Sequence, residues 1–295
     1  MSGRVLNLLH RYYTTTRPNP RVLELCGATE PDTPYTAERD EDLTVILNGW
    51  ARPEYLPLVW EGIQYQTRRP AQTWIVQNGP GKLAAVPREF FASVREHHTR
   101  IIDSDLNLGC WFRFILAALY CRTRYVAIFD DDTLPGCEAL AAALTDLHAR
   151  PGIYGGRGII YVDEGGPPRF WAHEVAGWPA GTPEATRVDF VGHAWVMETA
   201  WLRRMLPLLP STFLDAAEPG RQCGEDMFLS FAGQKLGVPT FVWGHGATCN
   251  ARWSSLQALE MGCHENSISM SGGLAGGDEH LRELLAAGWR LLRFQ

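Results

Sequence analysis

The sequence predicts an α/β fold, in which a Rossmann-like mixed sheet is flanked by helices, and three observations carry this prediction. Short apolar runs of strand length alternate with helical segments through the first half of the chain. The most apolar of these runs, Tyr125–Phe129, leads directly into three consecutive aspartates. Its unbroken apolar character indicates a strand buried on both faces, which is typical of a sheet covered by helices on either side.

The first half, residues 43–150, is predicted to contain four strands that alternate with four helices. This alternation favours a parallel, doubly wound arrangement. Asn107 is the expected N-cap of the third helix, which is apolar on all sides and therefore predicted to be buried. The strands are predicted at 43–47, 73–77, 98–102 and 125–129, and the helices at 54–65, 88–97, 108–121 and 137–149.

The second half, residues 151–280, is richer in glycine and has longer predicted loops. No linker separates the halves, so we expect one domain over 43–280, preceded by an extension at 1–42 and followed by an amphipathic helix at 281–295. The predicted elements are one or two strands within 152–162, strands at 188–197 and 240–243, loops at 163–187 and 211–224, and helices at 199–209 and 226–237.

Composition narrows the class of protein. The net charge of −6 gives no reason to expect nucleic-acid binding. Seven cysteines without a C-x-x-C pair argue against a disulfide framework or a zinc ribbon, and reduced thiols favour a cytoplasmic location. No window reaches the roughly 20 apolar residues of a membrane-spanning helix. Core packing is the expected role of the last helix, with peripheral membrane contact through Arg282, Arg290 and Arg293 as the alternative.

The acidic triplet Asp130, Asp131 and Asp132 follows the buried strand. Because an isolated carboxylate is costly to bury, these acids must lie where the strand leaves the sheet, and open α/β sheets bind ligands at the carboxyl ends of their strands. Three carboxylates there repel one another unless a cation holds them, and oxygen ligands suit Mg²⁺ or Mn²⁺. The triplet therefore predicts a divalent-metal site that binds a diphosphate. The alternative is an acidic turn that caps the next helix.

Two motifs make the chain resemble glycosyltransferases of the GT-A fold. They are Phe129-Asp130-Asp131-Asp132 at the end of a strand and Gly224-Glu225-Asp226 at the start of a helix. Residues 129–134 and 223–226 are also similar to the exostosin-like family of hexosaminyl transferases. The resemblance covers about residues 43–245. It implies a nucleotide-binding half, an acceptor half, and metal-dependent transfer of a sugar from a nucleotide-sugar, UDP-linked before GDP- or CDP-linked, to a glycan, lipid-linked or other hydroxyl acceptor.

The resemblance also implies roles for the acids. Asp130 would contact ribose or sugar and share a Mn²⁺ or Mg²⁺ ion with Asp132, while Asp131 could serve either purpose. Asp226 is the candidate catalytic carboxylate, a base in an inverting enzyme or a stabilising group in a retaining one. Glu225 would bind the acceptor or the sugar. The alternative for this pair is that it only complements the dipole of the helix it opens.

Further polar side chains are expected at the same edge of the sheet, where the resembled fold binds the nucleotide. Arg113 has an alternative role, because an arginine in an apolar helix can pair with a buried acid. His264 is the candidate late ligand of the metal or diphosphate, and His245 the second choice. The nucleotide candidates are Asn48, Arg52, Gln77, Asn78, Asn107 and Arg113.

Two rival functions remain open from the sequence. A sugar-phosphate nucleotidyltransferase shares the need for metal and nucleotide, but residues 48–52 are a poor match to a glycine-rich, basic phosphate loop. A glycan- or nucleotide-binding module could keep the fold without turnover. The stereochemical outcome also stays open, because the Glu-Asp pair favours inversion and the exostosin-like resemblance favours retention.

Overall fold

The computed structural model describes residues 39–50, 52–79, 84, 86, 88–95, 98–104, 107, 109–208, 224–246, 251–253 and 276–294. Three of the sequence-based expectations therefore lie outside the described residues: the N-terminal extension up to residue 38, the loop at 211–223, and the role of His264.

The described elements alternate between strands and helices as far as β4 and become strand-rich afterwards. The strands are β1 (Arg39–Gly49), β2 (Arg69–Asn78), β3 (Thr99–Ser104), β4 (Tyr125–Phe129), β5 (Ile153–Gly155), β6 (Arg157–Tyr161), β7 (His173–Gly177), β8 (Thr186–Arg187), β9 (Phe190–Gly192), β10 (Ala194–Glu198) and β11 (Thr240–Val242). The α-helices are α1 (Leu56–Gln64), α2 (Arg88–Arg95), α3 (Phe112–Tyr120), α4 (Ala139–Ala149), α5 (Thr199–Met205), α6 (Glu225–Lys235) and α7 (Gly277–Ala286), with 3₁₀ turns at Pro53–Tyr55 and Leu206–Leu208.

The central sheet has eight strands in the order β3-β2-β1-β4-β10-β5-β11-β8. Its first four strands run parallel. Strand β10 is antiparallel to both of its neighbours, β4 and β5, and β8 is antiparallel to β11. The predicted α/β class, a mixed sheet flanked by helices, is confirmed, and so is the parallel arrangement predicted for the strands of the first half.

Strand β4 lies at the middle of this sheet and is buried on both faces. Tyr125, Ala127 and Phe129 join one apolar layer with α1, α2 and α4. Val126 and Ile128 face the opposite layer, formed with α3, α5, α6 and α7. This two-sided burial explains why the strand carries no polar residue and why its bounds agree with the sequence-based prediction.

The predicted strand at 188–197 is wrong as a single element, because it is divided at His193. This residue adopts a φ of 65°, in the left-handed region, so the chain cannot continue as one extended strand. Strand β10 then pairs with β4, while β9 joins a separate antiparallel sheet in the order β7-β6-β9. Strand β7 lies in the stretch that was predicted as loop, because its residues are mostly half-buried and lack an apolar pattern.

The start predicted for the third helix is also wrong. Helix α3 begins at Phe112, not at residue 108, and Asn107 is not its N-cap. Gly109 has a φ of 70°, which a right-handed helix cannot accommodate. The Asn107 side-chain oxygen instead accepts a hydrogen bond from the Gly109 amide at 3.0 Å, which closes a turn before the helix.

The C-terminal helix spans Gly277–Ala286 and is thus earlier and shorter than predicted. Gly288, with a φ of 92°, prevents its continuation, and Trp289 and Leu291 are buried beyond it. The apolar side chains of this segment pack against the protein body, as the core-packing interpretation requires. Among the described residues, no helix combines the length and apolar character needed to cross a membrane.

Gly177 joins the small sheet to the central one. Its φ is 80°, and a Cβ atom there would overlap the carbonyl oxygen of Gly156 and lie 2.7 Å from Val242 Cγ1. The next residue, Trp178, donates its amide to the same Gly156 oxygen at 3.0 Å. This close backbone approach needs a residue without a side chain.

Replacing Gly177 by alanine is expected to destabilise the protein strongly. Gly237→Ala is the matched control, since Gly237 has a similar φ of 74° but no atom within 4 Å of an added Cβ. The control should lose about 1–2 kcal/mol from backbone strain. Gly177→Ala should lose roughly 1–3 kcal/mol more from overpacking. Urea unfolding of both variants measures the difference, and equal losses would contradict the packing argument.

Candidate functional site

The carboxyl ends of the four parallel strands bring the predicted polar residues to one edge of the sheet. Asn48 lies near the end of β1, and Gln77 and Asn78 close β2; all three are buried. Register places Gly49 beside Gln77, and Asn78 beside Ser104 of β3. Because Leu47 pairs with Phe129, the aspartate triplet leaves β4 beside the loop that follows β1.

Asp131 holds that loop. One carboxylate oxygen accepts the amides of Trp50 at 3.3 Å and Arg52 at 2.9 Å. The other accepts Nε and Nη2 of Arg52 at 3.2 and 2.9 Å. Asp131, with 5% of its surface exposed, thus fixes the loop after β1.

Arg52 also pairs with Asp132, since its Nη1 lies 2.7 Å from Oδ2 of that residue. Burial alone would lower the pKa of the Arg52 guanidinium, but the neighbouring acids Asp131, Asp132 and Asp130 raise it. Burial raises the pKa of Asp132 to about 7, although Arg52 acts in the opposite direction. An arginine therefore supplies part of the positive charge that the triplet was predicted to need.

Arg113 joins the two acidic motifs. It reaches from the first turn of α3 to form ion pairs with Asp130 and, at 2.8 Å, with Glu225. Its guanidinium lies 4.7 Å from the ring centroid of Trp195 in β10, the strand that pairs with β4. Burial would lower the pKa of Arg113, and the carboxylates of Asp130 and Glu225 raise it above the usual value. Arg113 therefore has the alternative role that the sequence suggested, which is pairing with buried acids.

Glu225 and Asp226 occupy the first turn of α6. Gly224 precedes them with a φ of 95°, which turns the chain into the helix. Burial raises the pKa of Glu225, which Arg113 partly offsets. Burial, followed by the neighbouring Glu225, raises the pKa of Asp226 to about 8. Asp226 as a residue is partly exposed to solvent, and its carboxyl group is mostly protonated at neutral pH.

The remaining predicted residues mainly shape the surroundings. Gln77 donates its side-chain amide to Asp103, and Asn78 donates to the Gly109 carbonyl at 2.8 Å. The exposed Asn107 bonds the same turn and thereby helps to set where α3 begins. The ring nitrogens of His245 each lie 3.4 Å from a backbone carbonyl oxygen, which indicates a structural role.

Three further side chains adjoin the site from the small sheet. The rings of His193 and Trp178 are 4.9 Å apart, and Arg157 lies 5.2 Å from the centroid of the same indole. The His193 carbonyl oxygen accepts a hydrogen bond from the Asp130 amide at 3.3 Å. Burial lowers the pKa of His193 to about 4, so the ring is neutral at pH 7. Arg157 and Trp178 were missed from the sequence, because only the pairing of β6 with β7 brings them here.

The carboxylates of the site supply some of the ligands that a divalent cation would need. Within the described ranges, no three His, Cys, Asp or Glu side chains form a group that could hold a metal ion by themselves. Asp130 and Asp132 still offer two carboxylates at the end of β4, and Mg²⁺ commonly takes one or two carboxylates together with substrate phosphate oxygens. The donor set therefore suits a cation whose coordination is completed by a bound diphosphate.

No protein-family model matches the chain, and no curated protein matches it. Solved structures with a similar chain trace include TarS 1-349 of S. aureus in complex with UDP, at 14% sequence identity and a TM-score of 0.46. The same protein in complex with UDP-GlcNAc is 13% identical, with a TM-score of 0.46. Each alignment covers 70% of this chain, which spans 59% and 57% of the two TarS chains.

Arg113→Met is expected to destabilise the protein by about 3 kcal/mol, because it leaves buried carboxylates without their counter-charge. Arg124→Met is the matched control. Arg124 is 61% exposed, and its pair with Glu198 spans 3.3 Å, so its loss should cost at most about 1 kcal/mol. Guanidinium chloride unfolding at pH 8 checks both values. Equal, small losses would show that Arg113 is not what holds the two motifs together.

Proposed function

We propose that the protein is a metal-dependent glycosyltransferase that moves a sugar from a nucleotide-sugar, UDP-linked before GDP- or CDP-linked, to a hydroxyl acceptor. The observation that carries the proposal is the bridge from Asp130 through Arg113 to Glu225. It unites a carboxylate cluster at a strand end with a second acidic pair at a helix start. Clusters of buried carboxylates with raised pKa values are typical of reactive sites.

The charge balance of the site supports a cation as a ligand. When ionised, Asp130, Asp131, Asp132 and Glu225 carry four negative charges, and the guanidinium groups that pair with them supply two positive ones. One divalent ion would compensate the remainder. Asp130 and Asp132 would hold Mn²⁺ or Mg²⁺, which supplies Lewis-acid neutralisation of the diphosphate as the glycosidic bond breaks.

Asp226 is the group proposed to act on the reactants. As a base, its carboxylate would take the proton of the acceptor hydroxyl while that oxygen bonds to the anomeric carbon and the diphosphate leaves with the bonding electrons. As a stabilising group, the same carboxylate would face the positive charge that develops on the sugar ring. Both roles need the ionised form. The finer likeness to exostosin-like transferases rests on residues 129–134 and 223–226, and the stereochemical outcome remains open between the two roles.

Calorimetry with a panel of nucleoside diphosphates, with and without Mn²⁺, is the first test. Binding that requires Mn²⁺ and prefers UDP supports the proposal, and absence of metal-dependent nucleotide binding removes it. Product analysis separates the rivals, because a nucleotidyltransferase releases pyrophosphate from a nucleoside triphosphate whereas a glycosyltransferase releases a nucleoside diphosphate from a nucleotide-sugar.

Asp132→Asn is expected to abolish Mn²⁺-dependent hydrolysis of UDP-sugar and to weaken UDP binding, because one of the two proposed ligand carboxylates is lost. Asp163→Asn is the matched control, since Asp163 lies in an exposed turn where its side chain bonds the Gly165 amide. Calorimetry and a nucleoside-diphosphate release assay measure both effects. Full UDP binding by Asp132→Asn would favour a binding module in which this carboxylate has no function.

Asp226→Asn is expected to lower kcat by about 10²–10⁴-fold while nucleotide binding persists. In the unchanged protein, kcat/KM should rise with pH through about 8, because the proton that Asp226 retains at neutral pH must leave before the carboxylate can act. The measurement is a rate profile from pH 6 to 9.5. A profile that is flat across this range, or a variant with unchanged kcat, would exclude Asp226 from the reaction.

A further inference from the structure

One arginine beside the candidate site has no carboxylate partner among the described residues. Arg157 begins β6, the middle strand of the small sheet, and is half-buried. It takes part in none of the ion pairs that the described residues form. Burial lowers the pKa of its guanidinium, and no acid of the described chain opposes this effect, in contrast to Arg52 and Arg113. Because a desolvated cation without a counter-charge is costly, a bound anion is favoured here.

The contacts of Arg157 on one side lead to the aspartate triplet. Its guanidinium carbon lies 5.2 Å from the ring centroid of Trp178, and Nη1 donates to the Trp178 carbonyl oxygen at 3.4 Å. The Trp178 ring is 4.9 Å from that of His193, whose carbonyl accepts the Asp130 amide. The charges of Asp130 and Arg157 both act on the His193 ring. Arg157 therefore adjoins the end of β4 without joining the ion pairs of the aspartates.

The face of β6 that carries Arg157 also borders the second acidic motif. Alternate residues of a strand share a face, so Arg157 and Tyr161 point to the same side of the small sheet. The Tyr161 hydroxyl lies 3.3 Å from Sδ of Met227 at the start of α6. Burial, followed by the charge of Asp226, raises the pKa of Tyr161, which shows that this acid is close. One face of the small sheet thus extends from the triplet to Asp226.

Space for a ligand adjoins Arg157 on that face. Gly192 of β9 pairs directly with Arg157, and directly opposite residues of an antiparallel pair carry their side chains on one face. A Cβ atom at Gly192 would meet no described atom within 4 Å. Nε and Nη2 of Arg157 have neither a hydrogen-bond partner in the described part of the chain nor complete burial. A ligand beside Gly192 could therefore reach donors of the guanidinium.

We propose that Arg157 binds the carboxylate of a uronic acid carried by the nucleotide donor, an assignment that rests on the proposed glycosyltransferase function. The donor sugar must lie between the diphosphate, held at Asp130 and Asp132, and the carboxyl group of Asp226 that acts at the anomeric carbon. Arg157 adjoins both places and belongs to neither, so it is positioned for a substituent of the sugar ring. A carboxylate supplies the single negative charge that one guanidinium matches, through charge-assisted hydrogen bonds. Arg157 would thus select an anionic sugar over a neutral one.

Calorimetry with UDP-glucuronate and UDP-glucose, which differ only at C6, tests the assignment in the presence of Mn²⁺. The full chain should bind UDP-glucuronate at least about tenfold more tightly, because only its carboxylate can pair with Arg157. Arg157→Met should bind the two UDP-sugars alike and UDP as before, and Arg157→Lys should restore part of the preference. Arg204→Met, at an exposed position of α5, is the control and should keep the preference in full.

Gly192→Leu tests the same site without changing a charge. Its side chain would fill the space beside Arg157 and meet no described atom at its Cβ, so the variant should fold normally. Binding of UDP-glucuronate should weaken at least about tenfold, while UDP, which lacks the sugar, should bind as it does to the parent. Thermal unfolding checks that this variant and the arginine variants are folded. Unchanged affinity of Gly192→Leu for UDP-glucuronate would place the sugar elsewhere.

Two further outcomes would overturn the assignment. One is equal binding of the two UDP-sugars by the parent, or a preference that persists in folded Arg157→Met. The other is discrimination between methyl β-glucuronide and methyl β-glucoside in the presence of UDP, with none between the UDP-sugars, which would put the carboxylate on the acceptor. Failure of UDP itself to bind with Mn²⁺ is a separate result, because it removes the proposed function and this assignment with it. UDP binding without discrimination between the sugars removes the assignment alone.

Discussion

A buried guanidinium between two carboxylates from different parts of the chain determines the arrangement of the site. Arg113 pairs with Asp130 at the end of β4 and with Glu225 at the start of α6. A buried charge that loses its partner costs several kcal/mol, so each of these elements constrains the position of the other. Trp195 of β10 covers the guanidinium, and β10 is the antiparallel strand inserted beside β4. The mixed topology of the sheet and the chemistry of the site are therefore connected through one side chain.

Arg52 contacts two of the three aspartates of the triplet, and the contacts of the two differ. Asp131 uses both oxygens on the backbone and side chain of the loop after β1, while Asp132 shares the same guanidinium at 2.7 Å. Arg52 of that loop thus supplies a positive charge to the middle acid. Asp130 and Asp132 are the members proposed to hold a cation. Burial raises the pKa of Asp132, and Arg52 offsets this effect only in part.

The sequence predicts the parts of this molecule that depend on burial and misses those that depend on distant pairing. Strand β4 and the start of α6 have strong local signals, an unbroken apolar run and a glycine before an acidic first turn. The division at His193 has no such signal, because a histidine is compatible with an extended strand and only the pairing with β4 forces its left-handed backbone. In the same way, the triplet indicates a need for positive charge, but nothing local to it shows that Arg52 and Arg113 supply part of that charge.

Asp226 lies in the first turn of α6, where the dipole of the helix could stabilise its ionised form. Such an interaction stabilises the ionised carboxylate by about 0.3–1 kcal/mol and would lower its pKa. The pKa of Asp226 is instead raised from 3.8 to about 8, and each unit corresponds to about 1.4 kcal/mol against the ionised form. Burial and the neighbouring Glu225 therefore outweigh any stabilisation of the ionised Asp226 carboxylate by the dipole of α6, so Asp226 differs from an ordinary acidic residue in a first helical turn.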